Sequence, residues 1–215
     1  MRCCRWQWPY KACGTPVAIA VFLWIYFLLL HHPLFPVTTM PLTGLDRLIP
    51  FQPWSIVPYA SLWLYISLAA MLVRGQRELT AYLAAVGIVA ATGFLIFLLW
   101  PTVIPDPRID WAQYPSVAFL KSVDAAGNAC PSLHAAFVTL SGVWLYRQLR
   151  ETAAPRWLRA LNIIWCLLVL YSTLATKQHV AVDLAAGTLL GLGVAWPLQV
   201  WAWRPAHAHR TIESD

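Results

Sequence analysis

Six stretches of this chain are strongly apolar, at about 15–30, 56–73, 79–100, 132–149, 158–176 and 180–203, and they constrain the fold more than any other feature. A helix needs about 20 such residues to cross a hydrocarbon layer, and most of the six reach that length. Composition agrees. Of the 215 residues 60% are hydrophobic and only 11% are charged, against roughly 25% charged in a soluble domain. The thirteen tryptophans suit a chain with many membrane interfaces. The expected fold is all-α: one integral membrane domain over residues 1–215 with six transmembrane helices. The first segment is short and follows Arg2, Arg5 and Lys11, like the basic start of a signal peptide. It continues into "LLLHHPLFP" with no small-residue cleavage pattern, and is read as an uncleaved span.

The formal charge of +6 does not point to nucleic acid, because the basic residues stand singly between apolar runs. Their distribution sets an orientation instead. Alternate connections place Arg2, Arg5, Lys11, Arg74, Arg77, Arg147, Arg150, Arg156, Arg159, Arg204 and Arg210 on one side, and Arg47, Arg108, Lys121 and Lys177 on the other. The richer side is expected to be cytoplasmic, with both termini. A bacterial inner membrane suits so compact a chain, with the second side facing the periplasm. The cysteines (Cys3, Cys4, Cys13, Cys130, Cys166) form no metal-type pairs of pairs. "GTLLG", from Gly187 to Gly191, reads as a surface where a neighbouring helix comes close.

Two polar motifs fall on the outer side. In "CPSLHAAF", Pro131 suits the first turn of a helix, so Ser132 and the free N–H groups after it should point outward from a helix N-terminus that favours phosphate. His134 lies in that turn. In "KQHVAVD", His179 and Asp183 are four residues apart and share a helix face. The carboxylate can hold one ring nitrogen and leave the other free as nucleophile or base, with Lys177 adding charge beside it. The proline-stiffened "PTVIPDPRID" presents Arg108, whose planar fork suits phosphate oxygens, and Lys121 follows in the same connection. A single histidine at a helix mouth is commonly interfacial, and His31, His32, His207 and His209 are read so. Two histidine motifs on one face with basic residues nearby are read as functional.

At these residues the chain resembles the type 2 phosphatidic acid phosphatase superfamily, whose pattern is K-x6-R-P, P-S-x-H and S-R-x5-H-x3-D. The second motif is Pro131-Ser132-Leu133-His134. The third is Ser172-Thr173, five residues, His179, three residues and Asp183, so Thr173 stands where the family has arginine. The first motif is missing from the connection before "PSLH". The wording "TKQH" with "PSLH" is similar to the inositol phosphorylceramide synthase-like branch. The resemblance implies lipid phosphate or diphosphate chemistry among membrane lipids, without metal or cofactor. It implies His179 as the nucleophile that becomes a phosphohistidine, Asp183 as its orienting partner, and His134 as the acid and then the base. Ser132, Arg108, Lys177 and Lys121 are the expected phosphate-binding residues, with Lys177 as candidate substitute for the arginine. Hydrolysis and transfer to an acceptor both stay open. Two other classes are a metalloenzyme holding zinc on His134, His179 and Asp183, and a small anion transporter, for which the spans carry few polar residues beyond Asn162.

Overall fold

The segment expected at 132–149 becomes helix α7, Leu133–Glu151, and the bundle is built around it: twelve of its 19 residues are buried. The computed structural model describes residues 3–123 and 127–203, the side chains of 3–13, 15, 122 and 123 excepted. Arg2, Arg204, Arg210, His207 and His209 therefore lie outside the described residues, as do the side chains of Cys3, Cys4, Arg5, Lys11 and Cys13.

Around α7 stand α1 (Cys3–His31), α3 and α4 (Ile56–Ala60 and Leu62–Leu72), α5 (Gln76–Leu99), α8 (Arg156–Ala175) and α9 (Ala181–Ala202). Among the described residues, four helical segments are long and apolar enough to cross a membrane: Pro53–Leu72, Gln76–Leu99, Arg156–Ala175 and Ala181–Ala202. Pro16–His31 is a shorter apolar stretch. Helix α7 carries more polar residues and spends its apolar ones inward, on Phe137, Leu140 and Trp144. The outer helices turn large apolar side chains outward: Leu64 is 75% exposed and Trp196 73%. A helix that is apolar on its outer face as well as its inner one belongs in lipid, and the chain is an integral membrane protein.

The "GTLLG" segment does pack closely. A β-carbon on Gly187 would overlap the Ser132 carbonyl oxygen, and one on Gly191 the Ala136 carbonyl oxygen. Only glycine lets α9 lie directly on the backbone of α7. Several polar groups within the bundle pair with one another. Tyr65 donates to Asn162 Oδ1 at 2.7 Å, Asn162 Nδ2 donates to the Gly142 carbonyl at 3.0 Å, and the Tyr82 and Ser141 hydroxyls are 3.1 Å apart. These bonds tie α4, α5, α7 and α8 together.

Arg74, Arg77, Arg147, Arg150, Arg156 and Arg159 lie at one end of the bundle, on or beside the helix ends at 72–77 and 147–159. The other end carries the longer connections. There β1 (Thr38–Thr39) pairs in parallel with β2 (Thr102–Val103), a minimal ladder in an otherwise helical chain. Two short helices, α2 (Gly44–Leu48) and α6 (Pro115–Val123), fold within connections read from sequence as loops. Thr102 is buried, and its hydroxyl accepts from the Cys130 N–H at 2.8 Å, which pins the strand of residues leading into α7.

Candidate active site

The two histidine motifs meet at the end bearing the long connections. Ser132 is the N-cap of α7: its hydroxyl oxygen accepts from Ala135 N–H at 3.2 Å. Pro131 therefore precedes the cap instead of occupying the first turn. The Ser132 N–H donates to the Asp183 carbonyl at 3.0 Å, which couples the first turn of α7 to that of α9. His134 follows within the first turn of α7.

His179 is placed by the end of α8. Lys177 adopts φ 55°, and the N–H groups of Lys177 and Gln178 return to the carbonyls of Leu174 and Thr173. This is the hydrogen-bond pattern of a Schellman C-cap, with lysine at the left-handed position glycine usually takes. The His179 N–H also reaches the Thr173 carbonyl, at 3.1 Å. The chain then turns into α9, and Asp183 Oδ1 accepts from the Val180 N–H at 3.1 Å.

The result is a line of four side chains. Asp183 is fully buried, and its Oδ2 faces His179 Nδ1 at 3.4 Å. Neither atom has another hydrogen-bond partner among the described residues. The separation exceeds that of a formed bond, as is common for catalytic contacts before substrate arrives. His179 Nε2 lies 3.4 Å from His134 Nδ1, and His134 Nε2 lies 2.9 Å from the Tyr59 hydroxyl. The Tyr59 and His134 rings stack at 4.7 Å with an interplanar angle of 27°. One proton arrangement satisfies the whole line. With Asp183 ionised, His179 carries its proton on Nδ1 and has a lone pair on Nε2. His134 then donates from Nδ1, and Tyr59 donates to His134 Nε2.

Tyr59 was not legible from motif spacing. It lies in α3, 75 residues before His134, and is 3% exposed. Asp46 was missed as well. It is buried, its Oδ1 accepts from the Ala181 N–H at the start of α9 at 2.8 Å, and its Oδ2 accepts from the Thr43 N–H and hydroxyl, both at 2.7 Å. The "TGLD" pattern, a threonine three residues before an acid, was the available signal.

Two of the basic residues expected at the phosphate, Lys177 and Lys121, make other contacts. The Lys177 ammonium donates to the carbonyls of Asp46 and Ile49, closing the C-terminal end of α2. Burial holds this amine below the ordinary lysine range, while the Asp46 charge pulls the other way. Lys121 donates to the Lys177 carbonyl at 2.6 Å and to Gln178 Oε1 at 3.1 Å, and lies 5.1 Å from the Trp111 ring centre. Arg108 is exposed, with φ 54° and its N–H on the Asp106 carboxylate at 2.9 Å. Thr173, at the position of the family arginine, is fully buried and donates to the Leu170 carbonyl at 2.8 Å.

A metal shared by His134, His179 and Asp183 does not fit this geometry. Asp183 faces Nδ1 of the His179 ring and His134 faces Nε2, so the two would-be co-ligands lie on opposite edges of one imidazole. Among the described residues no group of three or more His, Cys, Asp or Glu is placed to hold a metal ion.

A family model described as the PAP2 superfamily matches residues 77–206, more than half of the chain. The matched part contains His134, His179 and Asp183, and excludes α1 to α4 with Asp46 and Tyr59. No curated protein and no solved structure matches the chain.

Proposed function

Because the chain belongs to the PAP2 superfamily, whose members are typically phosphatases or phosphotransferases, we propose that it cleaves a lipid phosphate or diphosphate through a phosphohistidine on His179. The observation that carries the proposal is the aligned Asp183–His179–His134 line at the mouth of an apolar bundle. Asp183 holds the Nδ1 proton and leaves Nε2 as the nucleophile. A new P–N bond forms there as the P–O bond to the lipid breaks. His134 in its doubly protonated form gives its proton to the departing oxygen. It then takes one from water or an acceptor alcohol, whose oxygen attacks phosphorus and releases His179. Since His179 Nε2 and His134 Nδ1 are only 3.4 Å apart, His134 must swing aside to admit the phosphoryl group. The first N–H groups of α7 offer its oxygens partial positive charge.

Six spans with the site on the outer face complete the proposal. Helix α7 crosses the bilayer inside a sheath of the others, and the arginine-rich end is cytoplasmic. Placing the site at the outer face of a bacterial inner membrane rests on that charge asymmetry. The synthase-like wording "PSLH" and "TKQH" favours transfer to a headgroup alcohol as the second reading.

The test is incubation of purified protein with a panel of lipid phosphates and diphosphates, with and without acceptor alcohols. Release of inorganic phosphate indicates hydrolysis, and a new phosphodiester indicates transfer. Loss of either activity in His179→Ala, with a base-stable phosphoenzyme that forms in the parent protein only, is the expected result. Undiminished turnover in His179→Ala would overturn the mechanism.

A further inference from the structure

A cavity of about 240 Å³ opens against the site, with Tyr59 and His134 in its wall. A second, of about 370 Å³, continues the crevice toward the arginine-rich end, where Gly14 and Ala70 line it. The two share Phe22, Trp63, Ile66 and Phe137 as walls, so they adjoin at a neck formed by these side chains. Together they run between α1, α3, α4, α5 and α7. Along α1 they extend from Phe27 to Gly14, roughly 20 Å at 1.5 Å per residue. That is about two-thirds of the ~30 Å hydrocarbon layer.

We propose that this crevice binds the hydrocarbon chain of the lipid whose phosphate reaches His179. The inference rests on the lipid-phosphate reading above and extends it to the substrate's tail. Three observations support one flexible chain as the occupant. The wall is almost wholly apolar, and its Ser67 hydroxyl is turned onto the Trp63 carbonyl at 2.7 Å. A helix of the same length, about 10 Å across, has more than twice the volume of the two cavities together. The crevice also ends on His134 itself, so a chain lying in it brings its headgroup to the reacting pair. All of α1 and α4 lies before the matched residues 77–206. Selection of the tail is thus shared between that part and the matched one, which supplies Leu79 and Tyr82 of α5 and Leu133, His134 and Phe137 of α7.

The experiment compares kcat/KM for a long-chain isoprenoid phosphate with that for a short-chain alkyl phosphate that ends near the neck. Ala18→Trp fills the crevice from α1, and Gly14→Trp fills its far end, where a β-carbon meets nothing within 4 Å. Gly193→Trp is the control, since a β-carbon there also meets nothing and the residue does not line the crevice. Ala18→Trp should lower the long-to-short ratio about tenfold or more, the loss expected on expelling two methylene groups. Gly14→Trp should lower it less, and Gly193→Trp should leave it unchanged. An unchanged ratio in Ala18→Trp would mean ordinary surrounding lipid in the crevice and would overturn the inference. A photoreactive long-chain alkyl phosphate separates this failure from failure of the activity itself. Cross-linking to α1 and α4 that Ala18→Trp abolishes supports the binding site even if no turnover is seen. Cross-linking confined to the outer faces of α5 and α9 refutes it.

Discussion

Removing the Tyr59 hydroxyl isolates the end of the line opposite Asp183. Tyr59→Phe keeps the ring and its 4.7 Å stack on His134 and deletes only the 2.9 Å contact to Nε2. In the proposed mechanism His134 carries positive charge when it acts as the acid, and in that state Nε2–H donates to the phenol oxygen. A hydrogen bond to a charged group is worth about 1.5–3 kcal/mol, and each 1.4 kcal/mol is about tenfold in rate. The expected loss is therefore roughly 10- to 100-fold in kcat, with KM little altered because Tyr59 acts through His134. The leaving group supplies a control that a packing defect would not reproduce. An aryl phosphate whose leaving oxygen needs no proton should lose far less in its phosphorylation step than an alkyl phosphate does. Rapid-quench measurement of phosphoenzyme formation with both substrates gives the comparison. Equal losses on the two, or none on either, would refute Tyr59 as the support of a proton-donating His134.

Gly187→Ala should destabilise the protein by about 1–3 kcal/mol through overpacking against the Ser132 carbonyl, although alanine is intrinsically the better helix former by about 1 kcal/mol; a lowered unfolding midpoint in detergent checks the sign. Lys177→Met should speed amide exchange across residues 43–49, because α2 loses the ammonium on its carbonyls; a raised KM with unchanged exchange would instead make Lys177 a phosphate clamp. Arg108→Cys should react with a membrane-impermeant thiol reagent from outside intact cells, since Arg108 is exposed at the site end; labelling only after permeabilisation would invert the proposed topology.

The apolar segments placed five of the six main helical stretches to within a few residues, because apolar runs report on local burial. The end of α8 and the start of α9 were legible for the same reason. Helix α1 instead begins at Cys3, well before the apolar run expected from about residue 15, because polar and basic residues there continue the helix. What pattern could not supply was contact between distant parts. The Ala181 N–H finds its acceptor on Asp46, 135 residues earlier, and nothing near either residue announces the pairing. Tyr59 looked like one more aromatic in an apolar span. The direction of Lys177 was equally hidden: sequence places it two residues before His179, but its left-handed backbone turns the ammonium toward α2.

Two features treated separately in the sequence are one device in the fold. Read alone, "GTLLG" is a packing motif and "PSLH" a chemical one. Gly187 sits one turn after Asp183, and it is the residue that admits the Ser132 carbonyl to the surface of α9. The same Ser132 donates its N–H to the Asp183 carbonyl and accepts the cap bond of α7 through its hydroxyl. The separation between His134 on α7 and His179 before α9 is therefore set by how closely two backbones approach at glycine. A side chain at Gly187 would push α9 outward and open the 3.4 Å spacing of the facing ring nitrogens without touching either ring. Catalytic geometry of this kind tolerates shifts of about 0.5 Å, less than the displacement a methyl group would force. Under the proposed mechanism, glycine at this position thus serves the chemistry through the packing.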